Sequence, residues 1–125
     1  MNHQEQFYKM TKGDVIKGEK TDHPIVFIKN DVDDQFIGCM ITHSSSDLYP
    51  NNIGLKSAHF FEKDDEGNDW KIKYDNSYFV ELYLIKRNDW GPYKIKGRLT
   101  QDGVEFVEKY LKGKTPIWWN EYNKK

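Results

Sequence analysis

Two short apolar runs dominate the first third of the chain. Ile25-Val26-Phe27-Ile28 follows His23-Pro24, and Phe36-Ile37-Gly38-Cys39-Met40-Ile41 follows the acidic turn Asn30-Asp31-Val32-Asp33-Asp34. Consecutive β-formers over so few positions predict strands buried on both faces. Pro24 suits the first position of a strand, where its missing N–H removes no ladder bond. The two runs share a turn, so an antiparallel hairpin is the simplest pairing. Upstream, residues 1–12 read as a lead-in, and Asp14-Val15-Ile16-Lys17-Gly18 predicts a short strand ended by glycine.

Beyond the hairpin, residues 43–52 are rich in Ser, Asp, Asn and Pro and predict a loop. Ile53-Gly54-Leu55 and Ala58-His59-Phe60-Phe61 are short strand candidates, and Glu62 to Asp69, with five acidic residues, reads as a solvated loop. Trp70 to Tyr74 alternates as a half-exposed strand. From Ser77 to Ile85, Tyr78, Val80, Leu82 and Leu84 share one face while Phe79, Glu81, Tyr83 and Ile85 share the other. Tyr93 to Leu99 predicts a last short strand.

The 3.6-residue period enters only at the end. Val104, Val107 and Leu111, with Phe106 and Tyr110, form an apolar stripe that predicts a helix from Gln101 to Lys112. Thr100 is its expected N-cap, and Asp102 lies near the positive end of the macrodipole. Gly113 stands where a left-handed residue would end the helix, and Pro116 prevents continuation. Gly103 weakens the first turn by about 1 kcal/mol relative to alanine. Short strands, turns roughly every ten residues and one helix predict a mainly β domain, a small closed barrel with one C-terminal α-helix. Residues 1–125 read as a single domain, with barrel and helix at 13–112. The aromatic tail at 113–125 is expected to pack back or onto a second subunit.

Charge narrows the function classes. Asp and Glu number 20 against 19 Lys and Arg, so no whole-molecule positive field draws nucleic acid, and any such binding needs a local patch. Aromatics at 15% supply rings for packing or stacking. Lys71, Lys73, Lys86, Arg87, Lys94, Lys96 and Arg98 flank Trp70, Tyr74, Trp90 and Tyr93, which would suit single-stranded nucleic acid. The competing reading is a wet sheet face whose lysines protect edges. The single cysteine, Cys39, cannot form an internal disulfide and reads as a buried hydrophobe. No apolar signal core or membrane-length run occurs, and a cytoplasmic location without membrane association is the expectation.

Among four histidines, His3 falls in the lead-in and His59 in an apolar segment where a structural role is expected. His23 precedes one central strand and His43 follows the next, so hairpin pairing would bring them to one edge of the sheet, beside Thr42, Ser44, Ser45 and Ser46. Imidazoles and hydroxyls there could hold a phosphate and move protons; two solvated loop histidines are the alternative. No Gly-x-Ser-x-Gly elbow, phosphate-cradling glycine loop or zinc-deaminase pattern occurs. No cofactor or metal is called for; Asp22, His23 and His43 are the residues that could meet a cation, with no spacing rule behind them.

The order of these features resembles the MazF/PemK family of toxin ribonucleases over roughly residues 13–112. Gly13-Asp14-Val15-Ile16 resembles the family's opening strand. His23-Pro24-Ile25-Val26-Phe27-Ile28 resembles its Arg-Pro-hydrophobic strand, and Phe36 to Ser44 its apolar strand ending in Thr-Ser. Lys94-Ile95-Lys96-Gly97-Arg98-Leu99 and the helix resemble its ending. The resemblance implies an SH3-like barrel, usually a homodimer held by an antitoxin protein, that cuts single-stranded RNA without metal. Thr42 falls on the family's catalytic Thr or Ser, whereas His23 replaces its Arg. The implied site is catalytic His23, Thr42 and His43, with Ser44, Lys86 and Arg87 binding substrate. A non-catalytic protein-binding or inhibitory module on the same barrel is the alternative function.

Overall fold

A computed structural model describes residues 10–18, 23–31, 34–42, 52–72, 77–87, 93–119 and 121. Their strands are β1 (Asp14–Gly18), β2 (Ile25–Asn30), β3 (Gln35–Thr42), β4 (Asn52–Gly54), β5 (Tyr78–Val80), β6 (Leu84–Arg87), β7 (Tyr93–Arg98) and β8 (Ile117–Trp118). A 3-10 turn spans Ser57–His59, and helix α1 spans Gln101–Leu111. The expected hairpin is present: Ile25, Val26 and Phe27 face Met40, Cys39 and Gly38 in antiparallel register. Beyond Phe27 the register shifts, because Lys29 faces Ile37 and Ile28 is an extra residue. Phe27 and Ile28 point to opposite faces of the sheet and enter different core clusters.

β3 is the spine of the sheet. It pairs with β2 along one edge, and its other edge is divided between two strands. Ile41 faces Phe79 of β5, but Gly38 faces Leu84 of β6. Three steps along β3 thus match five on the other side, and two residues of the 81–83 stretch bulge out. The continuous strand expected over 77–85 is therefore two strands. Inside the break, the Cys39 thiol donates to the Val80 carbonyl at 3.2 Å. The thiol is fully buried, and burial pushes its pKa far above the ordinary value, which makes it inert.

The sheet runs β4-β5-β3-β2-β1-β7, and among the described residues no ladder joins β4 to β7. The closed barrel expected from the strand rhythm is thus an open, largely antiparallel sheet here. The segment expected as a strand at 58–61 is instead the 3-10 turn, followed by one isolated bridge from Phe60 to Leu99. The reason lies at the start of α1. The Thr100 hydroxyl donates to the Ala58 carbonyl at 2.8 Å, and the Thr100 N–H donates to the His59 carbonyl at 2.9 Å. These two bonds hold the 3-10 turn against the start of the helix. Of the strand expected at 70–74, residues 73 and 74 lie outside the described residues, and 70–72 form no named strand, the Trp70 N–H donating to the Glu62 carbonyl at 2.9 Å and the Ile72 N–H to the Lys96 carbonyl at 3.0 Å.

Helix α1 covers one face of the sheet. Gly103, Val107 and Leu111 are buried at four-residue spacing, on the same side as Val15, Val26, Cys39, Ile41, Phe79 and Leu99. Thr100 caps it as expected, its hydroxyl oxygen accepting from the Gly103 N–H at 3.1 Å, a contact worth about 1 kcal/mol. Gly113 ends it at φ +82°. The opposite face buries Ile16, Ile25, Phe27 and Phe36, and beside them Met40, Val80 and Leu84 pack with Ile117 and Trp119 of the tail. β8 lies parallel to β6. The described part of the tail therefore folds back onto its own sheet.

Candidate functional site

The β2–β3 register places the first pair of candidate residues. Ile25 faces Met40, and the Ile41 N–H donates to the Pro24 carbonyl at 2.8 Å. Carrying that register one place further sets His23 opposite Thr42. Residues directly opposite in an antiparallel pair point to one face with Cα atoms about 4.5–5.5 Å apart. Thr42 also faces Tyr78 of β5, which faces Gly54 of β4. His23, Thr42, Tyr78 and Gly54 thus form one row across the end of the sheet, on the face away from α1. His23 is half-buried, whereas Thr42 keeps only 5% of its surface exposed. Solvent reaches the imidazole more readily than the hydroxyl. Asn52 and Ser77 are buried at the same end; the sequence pattern assigns Asn52 to the 43–52 loop and Ser77 to a strand start, and marks neither as a site residue. His43 and Ser44 lie outside the described residues.

Lys86 and Arg87 stand elsewhere. Lys86 faces Phe36 and Arg87 faces Gln35, at the other end of β3 from Thr42. Six residue steps of extended strand run from Phe36 to Thr42, roughly 20 Å at ~3.3 Å per residue. Within one chain the structure does not bring these two cations to the His23–Thr42 edge. Arg87 is exposed. Lys86 is fully buried, its ammonium 4.0 Å from the centre of the Trp119 ring. Cation–π attraction favours the charged form, but burial wins and lowers the pKa to about 8.

This depressed value has a measurable consequence. Between pH 8 and 10.5 the unfolded chain holds a proton that folded Lys86 has given up, so stability rises with pH over that window. Below it the folded state carries the whole penalty, about 3 kcal/mol at most. Lys86→Met is therefore expected to be the more stable protein at pH 7, by about 1–2 kcal/mol after loss of the cation–π contact. Urea denaturation of both proteins from pH 7 to 10.5 should show that gap closing. Ionisation of Cys39 and Tyr83 is common to both proteins and cancels. A gap that does not change with pH counts against a buried, charge-penalised Lys86.

His59 holds the structural place expected of it. Its Nδ1 accepts from the Lys56 N–H at 3.0 Å, and its ring stacks on Phe106 with centroids 4.3 Å apart. Burial, and then the charge of Lys56, lower its pKa. The strongest ionic feature was not expected as a pair. Asp14, 1% exposed, accepts from Arg98 Nε at 2.9 Å through Oδ1 and from the Thr11 N–H at 2.8 Å through Oδ2. Arg98 also reaches Asp65 at 3.3 Å and lies 5.7 Å from the Trp70 ring. The Asp14 hydrogen bond is the leading cause holding its guanidinium above the usual range. Arg98 and Lys86 are thereby committed to internal contacts, which reduces the basic–aromatic surface read from the sequence.

No group of three or more His, Cys, Asp or Glu side chains suited to a metal occurs among the described residues, Asp22 and His43 lying outside them. Among the same residues no helix is long and apolar enough to cross a membrane. Comparison with family models, curated proteins and solved structures gave no match. The fold and site define a mainly β protein with a histidine–threonine row at one end of an open sheet.

Proposed function

We propose that this protein is a metal-free endoribonuclease of the toxin type, acting on single-stranded RNA. One observation carries the reading: the β2–β3 register sets His23 opposite Thr42 at one edge of the sheet. In this scheme one imidazole takes the proton of a ribose 2′-hydroxyl. The 2′-oxygen attacks the adjacent phosphorus, the bond to the 5′-oxygen breaks, and a cyclic phosphate forms. The second imidazole gives a proton to the departing 5′-oxygen. His23 supplies one of the two groups and His43 the other, while Thr42, followed by Ser44, donates to a phosphate oxygen. The resemblance to the MazF/PemK family further suggests an SH3-like barrel, a cytoplasmic homodimer and restraint by an antitoxin protein. Exposed Arg87 would serve as a distal contact to the RNA rather than at the scissile phosphate, while Lys86, buried under Trp119, takes no part in binding.

The test is cleavage of mixed single-stranded RNA in excess EDTA by wild type and by His23→Ala/His43→Ala. The wild type is expected to leave cyclic-phosphate ends. The double variant should be slower by about 10²–10⁴-fold, the usual share of acid–base catalysis. Full activity in the double variant overturns the assignment. A second reading has its own support: Lys86 lies under Trp119 and Arg98 is tied to Asp14, which leaves fewer cations for RNA. That favours a non-catalytic protein-binding module, and a folded wild type inert toward RNA would select it.

A further inference from the structure

On the face opposite the His23–Thr42 row, two adjoining hollows lie between α1, the chain that follows it and the ends of β2 and β3. They measure about 210 and 440 Å³, the larger opening broadly to solvent, and share Tyr83 and Glu108. Lys12, Lys29 and Lys114 surround the smaller hollow over a floor that includes Ile28 and Ile37. Lys109 and Lys112 line the larger one with Glu105. Five lysines against Glu105 and Glu108 in the lining, with Glu81 beside Lys114, leave this cleft two excess positive charges, in a chain whose formal net charge is −1.

Helix-dipole stabilisation accounts for Lys109 and Lys112 at the end of α1. It does not account for Lys12 and Lys29, which come from the segment before β1 and from the end of β2. Lys12 meets Glu108 at 3.2 Å, and Lys114 meets Glu81 at 3.7 Å. Among the described residues no carboxylate pairs with Lys29. A compact hollow ringed by flexible point charges suits a small, multiply charged anion. A single RNA strand instead needs an extended track with successive stacking rings, and the cleft presents only the half-buried Tyr83.

We propose that this cleft binds a small oligophosphate ligand, with its phosphates in the smaller hollow among Lys12, Lys29 and Lys114. The larger hollow has room for a nucleoside, where Glu105 and Glu108 can accept from sugar hydroxyls. The site is separate from the proposed catalytic edge and does not depend on it.

The test is calorimetric titration of the full chain with inorganic triphosphate and, separately, with ATP, at low salt without divalent metal. Both should bind; equal affinities identify a free oligophosphate, and tighter ATP a nucleoside polyphosphate. Lys29→Glu is expected to weaken binding by about tenfold or more, whereas Lys29→Arg should retain it. Lys17→Glu, on exposed β1 surface, makes the same change in net charge outside the cleft and should bind like wild type. Circular dichroism and thermal melts establish that each variant is folded. Absence of binding to both ligands overturns the proposal. So does equal weakening by Lys29→Glu and Lys17→Glu, or binding of single-stranded RNA alone with loss in Lys29→Glu.

Discussion

Arg98→Met is expected to destabilise the protein by about 3–5 kcal/mol, the usual effect of removing one partner from a buried ion pair. The asymmetry of burial sets the size of the effect. Asp14 is 1% exposed, while the Arg98 side chain is 29% exposed. Removing the guanidinium leaves the carboxylate where water cannot replace its partner. Among the described residues the donors left to that carboxylate come from Thr11, its N–H at 2.8 Å and its hydroxyl at 3.3 Å, both to Oδ2. Oδ1 loses Arg98 Nε. Urea denaturation should show a lower midpoint with an unchanged slope. Adding Asp14→Leu to Arg98→Met removes the stranded charge, and the double variant should recover part of the loss. A penalty below about 1 kcal/mol for Arg98→Met would place the pair with ordinary surface salt bridges.

Gly103→Ala runs against helix propensity. In an isolated helix the change would stabilise by about 1 kcal/mol. Here a Cβ on Gly103 would run into the carbonyl of His59. The obstacle is backbone, held in place because the same carbonyl accepts from the Thr100 N–H and the neighbouring Ala58 carbonyl accepts from the Thr100 hydroxyl. Relief requires the 3-10 turn to move away from α1, which disturbs the His59–Phe106 stack. Overpacking of this kind costs about 1–3 kcal/mol, more against fixed backbone, and outweighs the propensity gain. The expected net loss is about 2 kcal/mol, read as a drop in urea midpoint. An alanine variant more stable than wild type would mean that the turn moves freely.

These two sites mark where sequence reasoning stops. The β2–β3 hairpin, the Thr100 cap, the Val107–Leu111 face and the left-handed Gly113 all follow from local rules. Each depends on neighbours within a few residues, through strand alternation, a hydroxyl at a helix start or a residue without Cβ. The row of His23 and Thr42 was foreseeable for the same reason, since a hairpin register relates residues across a single turn.

Other features depend on contacts between distant segments, which no local period encodes. Arg98 looks like a phosphate-binding cation until Asp14, 84 residues away, is found beside it. Lys86 looks like a turn-edge lysine until the register puts it opposite Phe36 and the tail lays Trp119 over it. The 77–85 stretch alternates like one strand, yet β3 splits it because its two halves pair in different registers. Closure of the barrel was likewise not a local property. Among the described residues β4 and β7 are not joined by a ladder, and the segment between them meets β7 only through single contacts such as Phe60 with Leu99. The sequence by itself determined which segments could be strands or helix, because period and caps act within a turn or two. The tertiary structure decided which charges were buried, where the sheet broke and which lysines shared a cleft, because desolvation and pairing act through space.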